Sequence, residues 1–274
     1  MQDGMPFSKM HGLGNDFVVV DARNTVERDW AELAREMCDR HFGIGADQLL
    51  LVCGSRRADV KMRLFNTDGF EAEMCGNGIR CVGKYVYERG IVRSPELSIE
   101  TLGGIKHLEL RISGNLVTGA RVAMGVPRIL FPRTAVDVCA RRDATYRLEL
   151  LGVDMGNPHA VAIVDTPVDD FPLEQIGPVV ECHPMFPART NFEVASITSE
   201  RTIDVRVWER SAGMTLACGT GACAATVAAR MAGRAGDEVE VTLPGGTLTI
   251  AWDGAGEVFM TGPATQVFDG CWFT

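Results

Sequence analysis

The sequence predicts an α+β fold of two pseudo-symmetric halves, each a mostly antiparallel, barrel-like sheet wrapped around one central helix. Three observations predict it. Strand patterns dominate both halves and come as hairpins and meanders, without the regular alternation with helices that marks a doubly wound sheet. The motif Cys-Gly-x-Gly occurs twice, as Cys75-Gly76-Asn77-Gly78 and Cys218-Gly219-Thr220-Gly221, each time opening a helical pattern. The second of these helices, Ala222 to Ala229, is small and apolar on every side, so protein must surround it. Repetition of this kind signals internal duplication.

The elements follow in order. Phe17 to Val20 and Gln48 to Val52 are apolar runs of strand length, and Val60, Met62 and Leu64 alternate with polar residues as a half-buried strand does. Trp30 to Arg40 carries Leu33 and Met37 at helical spacing. From Leu97 to Met124 short strands are divided by Gly103-Gly104 and Ser113-Gly114-Asn115, a meander. After Cys75, Ile79, Val82, Val86 and Tyr87 form an amphipathic helix that stops at Gly90. Pro127, Pro132 and the basic stretch around Arg141 interrupt the pattern and place the change of domain between Met124 and Pro132. In the second half Leu148 to Leu151 and Ala160 to Val164 read as strands and Ile203 to Trp208 alternates. Glu238 to Leu243 and Thr247 to Ile250 form a hairpin about Pro244-Gly245-Gly246, and the second central helix stops at Gly233.

Composition narrows the function classes. A chain of 274 residues that is 46% hydrophobic and 23% charged can bury a core in one large or two ordinary domains. A net charge of −9, with no basic run longer than a pair, argues against a nucleic-acid surface. Met1 to Asp21 has no signal-peptide pattern, and no apolar stretch approaches the roughly 18 residues of a membrane span. Nine cysteines at irregular spacing, with no Cys-x-x-Cys, do not form a disulfide framework. A cytoplasmic protein with reduced thiols is expected. Cys38, Cys53 and Cys139 sit among apolar neighbours and read as small hydrophobes.

Cys75 and Cys218 read differently. A helix N-terminus presents unpaired N–H groups and partial positive charge, which favour thiolate over thiol and can hold a carboxylate. One helix-initial cysteine is readily structural. Two in equivalent contexts suit a single chemistry, inversion of a carbon centre, in which one thiolate removes a proton and the opposite thiol returns one. A cysteine hydrolase would need a base and an orienting group, for which His159 and Asn157 are available. The Cys75/Cys81 and Cys218/Cys223 spacings do not match zinc sites, so no metal is expected. Gly12-Leu13-Gly14 lacks the third glycine of a dinucleotide loop, and none of Lys9, Lys61, Lys84 or Lys106 adjoins a phosphate cup. No cofactor is implied.

At these motifs the sequence resembles the diaminopimelate epimerase family. The likeness spans nearly the whole chain: Lys9-Met10-His11-Gly12-Leu13-Gly14-Asn15-Asp16-Phe17, Gly43-Ile44-Gly45-Ala46-Asp47-Gln48, Phe65-Asn66-Thr67-Asp68-Gly69, Glu73-Met74-Cys75-Gly76-Asn77-Gly78, Gly156-Asn157-Pro158-His159-Ala160, Arg189-Thr190-Asn191, Glu209-Arg210 and Ala217-Cys218-Gly219-Thr220-Gly221. The resemblance implies an isomerase interconverting LL- and meso-2,6-diaminoheptanedioate for lysine and peptidoglycan-precursor synthesis, without pyridoxal phosphate or metal. It implies domains 1–124 plus 263–274 and 125–262, the last strand returning to the first domain, and a homodimer whose partner is otherwise only a small amino-acid substrate. Cys75 and Cys218 would be the acid–base pair. Amides of Gly76, Asn77, Gly219 and Thr220 would hold the carboxylate at the reacting end. Asn15, Gln48, Asn66, Asn157, Asn191, Glu209 and Arg210 would grip the distal end, with His159 and Glu209 tuning the thiols.

Charge chemistry fits that inventory, since the distal end is a zwitterion needing a guanidinium and oxygen acceptors. Asparagine beside glycine or proline also commonly caps turns, so each taken singly has a plain structural reading. This chain departs from the family at Ser211 and Met214, where a glycine and a carboxylate are usual, and at Phe70, where a small residue is. Met1 to Gly4 precedes the usual start and reads as a tail. Proline and hydroxyproline racemases resemble this layout but carry Cys-Gly-His where Asn77 stands, and phenazine-pathway isomerases lack the cysteine pair. A thiol sensor with no turnover is the non-enzymatic alternative.

Overall fold

The computed structural model describes residues 4–26, 28–140 and 144–273; most of the expected tail and the basic triplet at 141–143 lie outside them. The chain divides into two compact units, Met1–Val122 with Thr261–Thr274, and Ala123–Met260.

Unit 1 begins with the antiparallel pair β1 (Met5–Gly12) and β2 (Asn15–Asp21). Helix α1 (Trp30–Cys38) follows, opened by Asp29, whose side chain accepts the Glu32 N–H. The chain returns as β3 (Gln48–Cys53), parallel to β2, and β4 (Val60–Asn66), antiparallel to β3 and to the short β5 (Glu71–Ala72). Helix α2 (Gly76–Glu88) is next, then β6 (Glu96–Thr101), parallel to β4, and the meander β7 (Gly104–Ser113) and β8 (Leu116–Gly125).

Unit 2 repeats this order. β9 (Arg128–Ala140) pairs with β10 (Ala144–Asp154), and β10 is antiparallel to β11 (Pro158–Val164). After a 3-10 turn at Val168–Asp170 come α3 (Leu173–Glu181) and β12 (Asn191–Ser199), parallel to β11. β13 (Thr202–Glu209) is antiparallel to β12 and to the short β14 (Gly213–Thr215). Helix α4 (Gly219–Met231), β15 (Glu238–Leu243) parallel to β13, β16 (Gly246–Ala251) and β17 (Val258–Pro263) complete the unit. The last strand, β18 (Thr265–Trp272), pairs antiparallel with β1 as β9 does with β10. Strand by strand, the antiparallel and parallel pairings of one unit recur in the other. The fold is α+β and duplicated, as the sequence predicts.

Around β2 and β3, and around β11 and β12, the sheet buries both faces. One face lies on the lateral helix: Val18, Val20, Leu49 and Leu51 pack with Trp30, Leu33 and Met37 of α1, and Leu150, Ala160, Phe192 and Val194 with Leu173, Ile176 and Val180 of α3. The other face wraps the central helix. Ile79, Cys81, Val82 and Val86 of α2 are fully buried, as are the small residues of α4 from Ala222 to Ala229. Burying a side chain of leucine size contributes about 1.5–3 kcal/mol, so these faces carry much of each unit's stability. Gly90 and Gly233, at φ of 67° and 69°, take the left-handed turn that ends each central helix.

Two elements depart from the sequence reading. Pro132 does not end the sheet pattern but sits inside β9, where the β9–β10 register shifts between Leu150 and Gly152. Proline has no N–H for the ladder, and the irregularity accommodates it. Helix α3 forms around Gly177 and Pro178, because Leu173, Ile176 and Val180 are buried against the sheet; tertiary packing overrides weak propensity.

Candidate active site

In unit 1, Cys75 caps α2 in an extended conformation, φ −135° and ψ 119°, and its Sγ accepts the Gly78 N–H at 3.4 Å. The thiol donates to Asn15 Oδ1 at 3.5 Å, an oxygen that also accepts from Asn77 Nδ2 at 3.3 Å. Asn15 is held in turn by its Nδ2, which donates to Asp47 at 2.9 Å. The fully buried Arg80 fixes the first turn of α2, donating to Gly76 O at 3.0 Å, Asn77 Oδ1 at 2.8 Å and Pro263 O at 3.1 Å. Asn15 opens β2, Gln48 opens β3 and Asn66 ends the antiparallel β4, so all three lie at one end of the sheet. Gln48 Nε2 donates to Asn66 Oδ1 at 2.8 Å, while Gln48 Oε1 is buried and no donor among the described residues reaches it. An orphaned acceptor of that kind suits a ligand ammonium.

Unit 2 repeats the arrangement with different charges. Cys218 caps α4 at φ −114° and ψ 113°, and its Sγ accepts the Gly221 N–H at 3.4 Å and lies 3.5 Å from Thr220 Oγ1. Asn157 donates to Thr220 at 3.4 Å, and its Oδ1 is 2.9 Å from His159 Nε2. His159 Nδ1 is 2.7 Å from Glu193 Oε1, both side chains fully buried. Glu209, ending β13 as Asn66 ends β4, accepts from Thr215 Oγ1 at 2.6 Å. Asn191 spends its amide on backbone: Oδ1 accepts the Arg210 N–H and Nδ2 donates to Pro158 O, each at 2.9 Å. The Arg210 guanidinium is exposed and donates to Ala188 O at 3.2 Å.

Burial pushes the Cys218 thiol well above its ordinary range, and the Glu209 and Glu193 carboxylates push the same way; hydrogen bonds from Thr220 and the Gly221 amide do not offset them. Burial likewise lifts Glu209 above the usual carboxylate range, against hydrogen bonds from Thr215 and Cys218. Cys38 and Cys81 are pushed up to about 12 by burial, which suits inert core thiols.

The loop before Cys218 is organised by Glu181, which accepts the Ser211 N–H at 3.0 Å, Trp208 Nε1 at 2.8 Å and Arg189 at 3.3 Å. Ser211 adopts φ 66°, and Met214 Sδ accepts from Arg206 at 3.3 Å. Phe70 is exposed, and its carbonyl accepts the Asn66 N–H at 2.9 Å. Three residues that organise the site escaped the sequence reading, Arg80, Glu181 and Glu193, and a fourth, Asp47, stood in a quoted motif without a role. The signal for Glu193 was a charge within the otherwise apolar run Phe192 to Ala195.

Two duplicated α+β units, each wrapped about one central helix, give the chain the fold shared by proline racemases and phenazine-biosynthesis proteins. A hydroxyproline epimerase from Agrobacterium vitis superimposes with a TM-score of 0.75 at 16% identity, covering 100% of this chain and 94% of that one. A phenazine biosynthesis protein of the PhzF family from Bacillus anthracis gives 0.73 at 18%, covering 98% and 99%. These distant likenesses establish the fold. Sequence narrows it: the model of the family "Diaminopimelate epimerase" matches residues 7–130 and 151–267. A diaminopimelate epimerase from Carboxydothermus hydrogenoformans is 49% identical over 279 residues, covering 98% of this chain and 100% of the relative, and one from Desulfitobacterium hafniense is 48% identical over 276 residues, covering 97% of each. The chain belongs to the diaminopimelate epimerase family.

Proposed function

We propose that this chain interconverts LL- and meso-2,6-diaminoheptanedioate by two-base proton transfer, with Cys75 and Cys218 as the acid–base pair. The observation that carries the reading is the matched placement of the two thiols, each capping the central helix of its unit and accepting the third N–H of its first turn. The mechanism requires them to address one α-carbon from opposite faces. The thiolate takes the α-proton, the electron pair of that C–H bond stays on carbon, and the opposite thiol delivers its proton to the other face. One thiol and one thiolate remain, with their roles exchanged, so the site runs in both directions.

The amides of Gly76, Asn77, Gly219 and Thr220 hold the carboxylate next to the reacting carbon, where negative charge develops. Preorganised donors of this kind contribute about 3 kcal/mol each to such a transition state. Gln48, Asn66, Asn15, Asn157, Asn191, Glu209 and Arg210 grip the distal amino-acid end, and the orphaned Gln48 oxygen suits its ammonium. Shorter amino acids would leave these groups unpaired, which costs affinity. His159 and Glu209 set the proton affinity of Cys218. On this reading the enzyme acts as a cytoplasmic homodimer in lysine and peptidoglycan-precursor synthesis; among the described residues no helix is long and apolar enough to cross a membrane.

The test is incubation with LL-diaminopimelate in deuterated water under reducing conditions, without added cofactor. Deuterium should enter at one α-carbon as the meso isomer appears, and Cys75→Ala and Cys218→Ala should each abolish turnover. No exchange in the wild type sinks the reading, and substantial turnover in either variant sinks the two-base mechanism.

A further inference from the structure

Glu193 has no role in the proton transfer just described, yet it is buried against the first turn of α4. The position that a Cβ on Gly221 would occupy lies 2.8 Å from Glu193 Oε1 and 3.3 Å from Cys218 Sγ, so the two atoms are no more than about 6 Å apart. Oε1 is also 2.7 Å from His159 Nδ1, while Oε2 is buried with no donor among the described residues. A half-satisfied buried carboxylate is costly, and the positive end of α4 offsets only part of that cost.

The duplicate unit shows what the fold alone requires there. His159 pairs with Asn191 across β11 and β12 as Phe17 pairs with Gln48 across β2 and β3, and Glu193 and Leu50 each stand two residues further along. Leu50 makes the corresponding contact, its methyls 3.3 Å from where a Cβ on Gly78 would lie. In unit 1 a phenylalanine and a leucine therefore fill the places that a buried histidine and glutamate fill in unit 2. Packing does not demand the pair.

We propose that Glu193 is a positioning residue for Cys218: it orients the His159 imidazole toward Asn157 and sets a negative charge beside the sulfur that keeps this thiol protonated at rest. The carboxylates acting on Cys218 are then Glu209 from β13 and Glu193 from β12, with Thr220 and the Gly221 amide of α4 opposing them, while His159 from β11 is bonded to Glu193. The inference rests on Cys218 acting as one of the two acid–base thiols.

Protein labelled with 13C at cysteine Cβ reports each thiol directly, the Cys218 resonance being assigned by its loss in Cys218→Ala. In Glu193→Gln the Cys218 titration midpoint should fall by about one pH unit, giving tenfold more thiolate at a fixed pH, while Cys75 keeps its midpoint. A folded Glu193→Gln protein with an unmoved Cys218 midpoint overturns the proposal. Should that variant not fold, 15N-histidine labelling of the wild type decides: the His159 ring must hold one fixed orientation toward Glu193 and Asn157, and a ring that exchanges between orientations overturns the proposal equally. Neither measurement uses substrate. An unmoved midpoint with deuterium exchange intact fails the Glu193 assignment alone, whereas absent exchange in the wild type fails the epimerase reading.

Discussion

Asn15 donates its side-chain amide to Asp47 at 2.9 Å and thereby turns its oxygen toward the Cys75 thiol, 3.5 Å away. Asp47 thus decides which end of Asn15 faces the cysteine. It is anchored by Arg40, which donates to its Oδ1 at 2.8 Å, by the Asp16 N–H, which donates to its Oδ2 at 3.1 Å, and by its own N–H, which donates to Asp16 Oδ1 at 3.0 Å. Asp47→Ala frees the amide to rotate. Under the epimerase reading kcat/KM should fall about 10- to 100-fold, equivalent to about 1.4–2.8 kcal/mol of transition-state stabilisation, with the circular dichroism spectrum unchanged. Wild-type kinetics would mean that Asn15 is held some other way.

Asp16 ties the same corner together, 2.5 Å from Lys9 Nζ and 2.8 Å from Arg40. Burial raises its pKa, but hydrogen bonds and charge from Arg40 and Lys9 outweigh burial and leave it below the ordinary 3.8. A carboxyl depressed in the folded state contributes stability that is fully present above its unfolded value and is lost as pH falls through its folded value. Asp16→Asn should therefore cost about 2 kcal/mol at pH 7, and the gap to wild type in urea melts should close as pH falls past the ordinary aspartate value of 3.8 and through the lower folded value. A gap independent of pH would show that packing, not the ion pairs, is responsible.

The duplication was legible because its signals are local. Cys-Gly-x-Gly and the all-apolar run from Ala222 to Ala229 each state their own requirement, and the strands around Leu50 and Val205 follow from alternation or apolar runs. Helix α3 was not legible, since Pro178 and Gly177 mask a helix that exists through burial of Ile176 and Val180. The cysteines and asparagines were visible as motif residues, but the roles of their supports were not. Asp47, Arg80, Glu181 and Glu193 act through partners up to 183 positions away, as in the Arg80 to Pro263 bond, and no local pattern encodes such a contact.

Ser211 carries a β-carbon at φ 66°, in the left-handed region, held there by its N–H bond to Glu181. Ser211→Gly should relieve about 1 kcal/mol of strain, partly offset by the freedom glycine gains when unfolded. The net effect should be a melting temperature equal to or slightly above wild type. At Met214 the exposed thioether is the partner of Arg206. Met214→Glu should replace it with an exposed ion pair worth about 0.2–1 kcal/mol, and this gain should fade in 1 M salt. A loss of more than 1 kcal/mol in either variant would mean that the loop is packed around the side chain it now has.

The glycines at the third helical position of α2 and α4 provide a matched pair of probes. Alanine is favoured over glycine inside a helix by about 1 kcal/mol. At Gly78 the new methyl would press on Leu50 methyls at 3.3 Å, on a flexible side chain that can shift by a few tenths of an ångström, and would meet Cys75 Cβ at an ordinary 3.5 Å. Gly78→Ala should therefore be nearly neutral in chemical denaturation. At Gly221 the methyl would press on Glu193 Oε1 at 2.8 Å and Cys218 Sγ at 3.3 Å, and the Glu193 carboxylate is locked by His159. Gly221→Ala should cost about 1–3 kcal/mol, and in Gly221→Ala combined with Glu193→Gln the cost should remain, because glutamine keeps the volume. If the double variant recovers wild-type stability, the clash is electrostatic in origin rather than steric. If both single variants cost the same, the two entrances do not differ in the way that Leu50 and Glu193 require.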